Sequence, residues 1–360
     1  MKLFFLGFIL FTSLIGNAQK YSYTMEELCH EYSKEWLSNK GNKGLVIGVI
    51  DGDTTYTFGY GVTDDMTSQT PNEYTFFQIG SVTKVFTGLA IQQLIELQKI
   101  NLEQKINDVL PTSHHLPQGN EITIRQLLTH YSGLPKLPSN FNEHKINEYN
   151  PYKYYMPIHW QQYLHNAITT IPIGSGFQYS NVNYALLGDI IANVSGMSYD
   201  QYIMHNILQV CDMKHSGLDI GSVNSSEIAT PHRFNGSATE ILEFASMESS
   251  GAMYSCMHDL LLFMRQNMET TTRLYSSLLQ CMQALASTDL KRVKYGMGWQ
   301  LYYQSKRGPV VVTHSGSTEG HRVYIGFTKG KKKGVVVLSN SANAPDYIGI
   351  ELLQIINRVK

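Results

Sequence analysis

The stretch FFQIGSVTKVFTGLAIQQLIEL, residues 76–97, places a serine and a lysine three positions apart at the start of an apolar helix. Positions three apart on a helix share a face, so the Lys84 amine lies over the Ser81 hydroxyl. A serine at a helix start also has its amide among the N–H groups that no preceding turn accepts, ready to donate to a developing oxyanion. Yet serine is an ordinary helix cap, and a short pair of this kind matches by chance in a chain of this composition. A lysine at its ordinary pKa of about 10.4 is protonated at neutral pH and cannot take a serine proton. The catalytic reading therefore needs a second element from elsewhere in the chain.

One is present in PIGSGFQYSNVNYALLG, residues 172–188, which holds Tyr179-Ser180-Asn181, the one Tyr-x-Asn of the chain, directly before an apolar helical run. A tyrosine beside an ammonium has its phenolate favoured, and Asn181 can orient the lysine or donate to a substrate carbonyl. A third element would be a strand with a donor and an approachable backbone. Two His-Ser-Gly tripeptides compete for it. His215-Ser216-Gly217 follows a helix end, where its glycine reads as a C-terminal cap. His314-Ser315-Gly316 follows PVVVT and precedes STEGHRVYIGF, so it sits on a strand. Gly316 there lets a ligand approach the backbone and leaves the Ser317 amide as a second oxyanion donor.

Ser-x-x-Lys, Tyr-x-Asn and a strand-borne His-Ser-Gly, in this order, resemble the family of class C β-lactamases, serine D-Ala-D-Ala peptidases and related esterases. Residues 121–135, EITIRQLLTHYSGLP, together with 172–203 and 314–327, look like that family's characteristic segments. The resemblance implies that Ser81 forms an acyl-enzyme and that Lys84 and Tyr179 share proton transfer. It also implies that Asn181 holds lysine and substrate, and that His314, Ser315, Gly316 and Ser317 border the substrate and oxyanion site. One departure stands out. The class C β-lactamases carry lysine where this chain has His314, whereas several peptidases and esterases of the family carry histidine. A mostly neutral histidine attracts a substrate carboxylate less, which favours peptidase, esterase or acyl-transfer activity over β-lactam hydrolysis. Arg322 is a candidate to restore positive charge nearby.

Strand-like runs lie at both ends of the chain and helical ones between. Residues 24–38 read as a threonine-capped amphipathic helix, and KGLVIGVID and TTYTFGYGV as a hairpin joined through DGD. From YGMGWQLYY at 295 onward the β-branched and aromatic runs return, and DYIGIELLQIINRV, residues 346–359, reads as a closing helix. The expected fold class is α/β of the α+β kind, an antiparallel sheet flanked by helices beside a mainly helical lobe. The expected division is 19–85 with 290–360 for the sheet domain and 86–289 for the lobe, with the site at their junction. Residues 147–163, NEYNPYKYYMPIHWQQY, are dense in aromatics and read as a packed loop or a cleft lining.

The 360 residues are 42% hydrophobic and 16% charged, enough apolar content for a large core. A net charge of −1 gives no electrostatic footprint for nucleic acid, and KGKKKG, residues 329–334, reads as a hairpin turn. Residues 1–18 follow the plan of a secretory signal cleaved after Ala18: one lysine, an apolar stretch from Leu3 to Ile15, then small residues. That stretch is short for a membrane span, no cysteine follows the cut, and an exported protein, periplasmic or secreted, is expected. Cys29, Cys211, Cys256 and Cys281 form no Cys-x-x-Cys pair and read as buried thiols. No Gly-x-Ser-x-Gly elbow and no His-Glu-x-x-His occurs, and His114-His115 lie in a loop, so neither an α/β-hydrolase nor a metal or other cofactor is expected. The expected partner is a small acyl or peptide substrate, and the sequence sets no oligomeric state. Two rivals share the same motifs: a penicillin-binding sensor that acylates without turnover, and an acyltransferase to an alcohol or amine.

Overall fold

The structure, a computed structural model, describes residues 24–305 and 308–358, so the signal reading of residues 1–18 lies outside it. The first helix, α1 (Met25–Leu37), begins as expected, with a reciprocal capping box between Thr24 and Glu27. The hairpin of β1 (Gly44–Asp51) and β2 (Thr54–Gly61) follows, then a two-residue strand β3 (Phe77–Gln78) and α2 (Thr83–Glu96). The middle of the chain carries α3 (Ile124–Leu128), α4 (Pro157–His165), α5 (Asn181–Ser195) and α6 (Tyr199–Ile203). Next come β4 (Tyr254–Ser255), α7 (Met257–Gln266) and α8 (Tyr275–Cys281). The chain returns to the sheet in β5 (Ala286–Ser287), β6 (Val293–Tyr295), β7 (Gln300–Tyr303), β8 (Val310–Ser317), β9 (Arg322–Thr328) and β10 (Lys333–Ser339). It ends in α9 (Asp346–Arg358).

Eight strands form one antiparallel sheet in the order β2-β1-β10-β9-β8-β7-β6-β5. The two ends of the chain meet where β1 pairs with β10, in the register Ile47 opposite Val337. Alternation along β1 sorts its apolar residues between two cores. Leu45, Ile47 and Val49 face α1 and α9, whose Trp36, Ile348, Leu352 and Ile356 cover them. Val46 and Ile50 face the larger core, which holds the apolar residues of α2, α5 and α7. Burying each such side chain contributes about 1.5–3 kcal/mol, which makes the register of β1 hard to slip.

The expected boundary at residue 289 passes over α7. This helix lies within the segment assigned to the lobe, yet packs on β1 and β10. Its apolar stripe of Met257, Leu260, Leu261 and Met264 is helically spaced, but periodicity does not say which surface a stripe covers. The four cysteines are buried and free, as expected. Burial pushes the thiols of Cys29, Cys211 and Cys256 up to about 12, so they carry no reactive thiolate. Among the described residues no helix is long and apolar enough to cross a membrane.

Candidate active site

Ser81 sits in a single 3-10 turn, Gly80–Val82, between β3 and α2. Strand β8 presses against this turn, and two glycines make the approach possible. A Cβ on Gly316 would lie 1.9 Å from the Ile79 carbonyl oxygen. One on Gly80, whose φ is +50°, would lie 2.7 Å from the Ser317 nitrogen. Ser81 and Ser317 consequently border one small cleft of about 40 Å³. The Ser81 amide, at the start of the turn, has no preceding turn to receive it.

Lys84, in the first turn of α2, is fully buried. Its Nζ lies 3.2 Å from Ser81 Oγ, donates to Asn181 Oδ1 at 2.9 Å and donates to the Ser250 carbonyl oxygen at 2.6 Å. Among the described residues no carboxylate pairs with it. Burial, with the charge of Lys136, holds its pKa well below the ordinary lysine range.

Tyr179 precedes α5, and its ring lies 5.0 Å from the Lys84 nitrogen. The Ser81 side chain is hydrogen-bonded to its phenol. The expected phenolate is not what this environment favours. Burial raises the Tyr179 pKa above its usual value, and the hydrogen bond with Ser81 opposes this only in part. Removing the phenol from water disfavours the phenolate more than that bond favours it. Asn181, the first residue of α5, accepts from Lys84 with its oxygen and donates with Nδ2 to the Tyr152 hydroxyl at 3.2 Å. One of its two amide N–H groups is thus spent on Tyr152, and Asn181 lines the cleft beside Ser81.

His314 lies on β8 as expected, but 2% exposed and turned inward. Its Nδ1–H donates to the Ser315 carbonyl at 2.8 Å, which leaves Nε2 to accept from the Tyr295 hydroxyl at 3.4 Å. Tyr295 in turn accepts from His130 Nε2 at 3.2 Å, because His130 Nδ1 accepts the Ser180 amide at 3.1 Å. These tautomers follow from the backbone partners of the two rings. Burial pushes the His314 pKa down to about 3. His314 is therefore a neutral link behind the serine and not a cation offered to substrate. Ser315 departs further from expectation. Alternation along β8 turns it to the opposite face, where its hydroxyl donates to Asp346 at the start of α9, and it does not border the cleft. Arg322, across the β8–β9 ladder, donates to the Ser317 hydroxyl and so brings its charge to the cleft edge.

Sequence reasoning missed several members of this site. The Ser250 carbonyl had no signal, since a main-chain acceptor is invisible in a sequence. Tyr152 was legible only as one residue of the aromatic stretch. It lines the cleft and stacks on Phe244 at 4.4 Å, while Tyr155, Trp160 and Tyr163 from the same stretch are buried in the core. His130 lay in a quoted segment without a role. Its backbone, at φ +62°, accepts the Gln178 amide while its ring accepts that of Ser180, so it grips the chain on both sides of Tyr179.

The Beta-lactamase family profile matches residues 25–355. The chain belongs to the Beta-lactamase family. Flp of Staphylococcus aureus (strain MW2) is 29% identical over 304 residues, covering 82% of this chain and 59% of Flp. The chain thus spans about three-fifths of that relative's length. PbpX of Bacillus subtilis (strain 168) is 27% identical over 311 residues, 86% of this chain and 73% of PbpX. Among solved structures, the octameric penicillin-binding protein homologue from Pyrococcus abyssi superposes with a TM-score of 0.80 at 25% identity, covering 93% of this chain and 78% of that one. The chain thus shares its antiparallel sheet flanked by helices with that penicillin-binding protein homologue.

Proposed function

We propose that this chain is an exported serine hydrolase that forms an acyl-enzyme on Ser81 and acts on a small ester, amide or D-amino-acid peptide. The observation that carries the reading is the buried Lys84 amine held between Asn181, Ser250 and Ser81. Two N–H groups are spent on the two carbonyl-type oxygens, and a neutral amine turns its lone pair to the Ser81 hydroxyl. Ser81 Oγ then bonds to the substrate carbonyl carbon as its proton passes to Lys84. The Ser81 and Ser317 amides stabilise the oxyanion. Tyr179, a neutral phenol hydrogen-bonded with Ser81, relays the proton to the leaving oxygen or nitrogen as its bond to the carbonyl carbon breaks. Water returns through the same relay to release the acid.

The names of the relatives fit an acyl-accepting serine, since penicillin is a reactive amide. The small cleft supports a compact acyl group, and the neutral His314 speaks against efficient β-lactam hydrolysis. Export rests on the pattern of residues 1–18.

The test is turnover on nitrocefin, short and long p-nitrophenyl esters and D-Ala-D-Ala peptides, with product analysis in the presence of alcohols. Release of free acid, lost in Ser81→Ala together with labelling by a serine-directed fluorophosphonate, is the expected result. Retained turnover or labelling in that variant would sink the reading. A single stoichiometric burst identifies a penicillin-binding sensor, and a new ester or amide identifies an acyltransferase.

A further inference from the structure

The His-Ser-Gly tripeptide that has no part in the Ser81 centre ends beside the start of α7. We propose that His215, His258 and Asp259 form a zinc site that clips the start of α7 to the His215-Ser216-Gly217 segment. None of the three borders the Ser81 cleft.

The Asp259 carboxylate is fully buried and built in. Its Oδ2 accepts the His215 amide at 2.7 Å and the Ser216 hydroxyl at 2.8 Å. Its Oδ1 faces both imidazoles, at 3.4 Å from His215 Nδ1 and 3.1 Å from His258 Nδ1. Zinc with N and O ligands at about 2.0–2.1 Å in a tetrahedron has ligand–ligand edges of about 3.3 Å, the length of these two contacts. All three ligand atoms lie within 4.8 Å of one another, so loading has only the edge between the histidines left to draw in.

Aromatic rings hold both imidazoles in place. The Tyr74 ring sits 5.2 Å from each imidazole, centroid to centroid, and Phe76 packs 6.2 Å from His215. The His258 amide donates to the Glu73 carbonyl at 3.0 Å, which ties α7 to the same segment as Tyr74. Both imidazoles are more than a third exposed, so an ion has access and water can complete its coordination. Two histidines and one carboxylate suit zinc, whereas magnesium prefers an all-oxygen shell. Gly217 bridges Tyr254 of β4, which pairs with Gln78 of β3, so through this ladder the ion would steady the base of the nucleophile segment without joining the reaction. Sequence spacing gave no sign of it, since the ligands come from segments more than forty residues apart.

The test is zinc titration of the untagged, chelator-stripped chain by calorimetry, beside cobalt(II) absorption spectra and thermal melts. Expected are one zinc per chain, a zinc-dependent rise in melting temperature and a tetrahedral cobalt d–d band. His215→Gln and His258→Gln each keep a hydrogen-bond donor toward Asp259, and each should raise the zinc Kd about tenfold or more. The double variant should lose the cobalt band while keeping the metal-free melting temperature. Failure of the untagged chain to take up zinc, or double-variant binding equal to wild type, overturns the proposal. Magnesium should leave the melt unchanged, and a magnesium-dependent rise equal to that with zinc would also overturn it.

Discussion

The Lys84 amine donates to the Ser250 carbonyl oxygen at 2.6 Å, a bond between residues 166 positions apart in the chain. Together with the bond to Asn181 it fixes which face of the amine meets Ser81. The same burial that lowers the Lys84 pKa favours the free amine over the ammonium. As pH falls through that lowered pKa the amine takes up a proton and loses its lone pair, so kcat/KM should fall on the acid side. Lys84→Met should reduce kcat/KM by about 10²–10⁴-fold, the usual contribution of a positioned base. A pH–rate profile on a non-titrating ester measures both. Wild-type kcat/KM in Lys84→Met would remove the lysine from the proton path.

Tyr179 tests the other half of the relay. Its pKa is raised by burial, so the phenol keeps its proton through the neutral range and a basic limb should appear only above pH 10. Tyr179→Phe keeps the ring contact with His130, whose centroid lies 4.5 Å away, and removes only the hydroxyl. Turnover should drop by about 10²–10⁴-fold with an unchanged melting temperature. An unaltered rate would assign proton delivery to Lys84 alone.

Much of this arrangement was legible before the structure, and the reasons are specific. The apolar run GLVIGVID and the helical spacing after Ser81 are local, so β1, Ser81 and Lys84 could be placed from sequence. Tyr179, Asn181 and His314 came from motif order, which names residues but not directions. Thus Ser315 and His314 read as bordering the substrate, although strand alternation turns Ser315 to Asp346 and the His314 ring is enclosed. The sign of the Tyr179 shift was missed for a related reason. Pairwise charge logic favoured a phenolate, but desolvation, which depends on three-dimensional packing, outweighs it.

Phe244 separates two spaces. It and Leu242 border both the cleft at Ser81 and a larger cavity of about 800 Å³ that reaches α5 and α6. Removing the ring in Phe244→Ala also frees Tyr152 from its stack at 4.4 Å. The two spaces should then join, so that longer acyl chains fit. The expected outcome is a rise of about tenfold in kcat/KM for long relative to short p-nitrophenyl esters, in the range that one or two methylenes contribute to discrimination. An unchanged chain-length preference would place acyl selection elsewhere.

Gly316 tests the contact between β8 and the nucleophile turn. The methyl of Gly316→Ala would sit 1.9 Å from the Ile79 carbonyl oxygen, and neither backbone can yield without moving the Ser317 amide. Overpacking of this kind costs about 1–3 kcal/mol. Because the displaced amide serves the oxyanion, kcat should fall more than KM rises. Urea unfolding and steady-state kinetics on the same preparation separate the two effects. A variant with wild-type kcat and stability would show that β8 and the turn are not in the close contact described.

Buried histidines make stability fall in acid, and His314 and His321 show why. Burial lowers the His314 pKa to about 3 and that of His321 to about 4, against an ordinary value of 6.5. His321 is held neutral by its partners: its Nδ1 accepts the Gln78 amide at 3.1 Å, and its Nε2–H donates to the Ala229 carbonyl at 2.8 Å. Between these pKa values and 6.5 the unfolded chain binds protons that the folded chain does not, so stability rises with pH across that window. Above pH 6.5 the contribution is fully present, and it is lost as pH falls toward 3 to 4. Each histidine adds a slope of up to about 1.4 kcal/mol per pH unit, so urea midpoints should fall steeply between pH 6.5 and 4. In His314→Gln the slope should lose close to one proton, because glutamine does not titrate. An unchanged slope in that variant would mean that His314 protonates in the folded protein as readily as in the unfolded one.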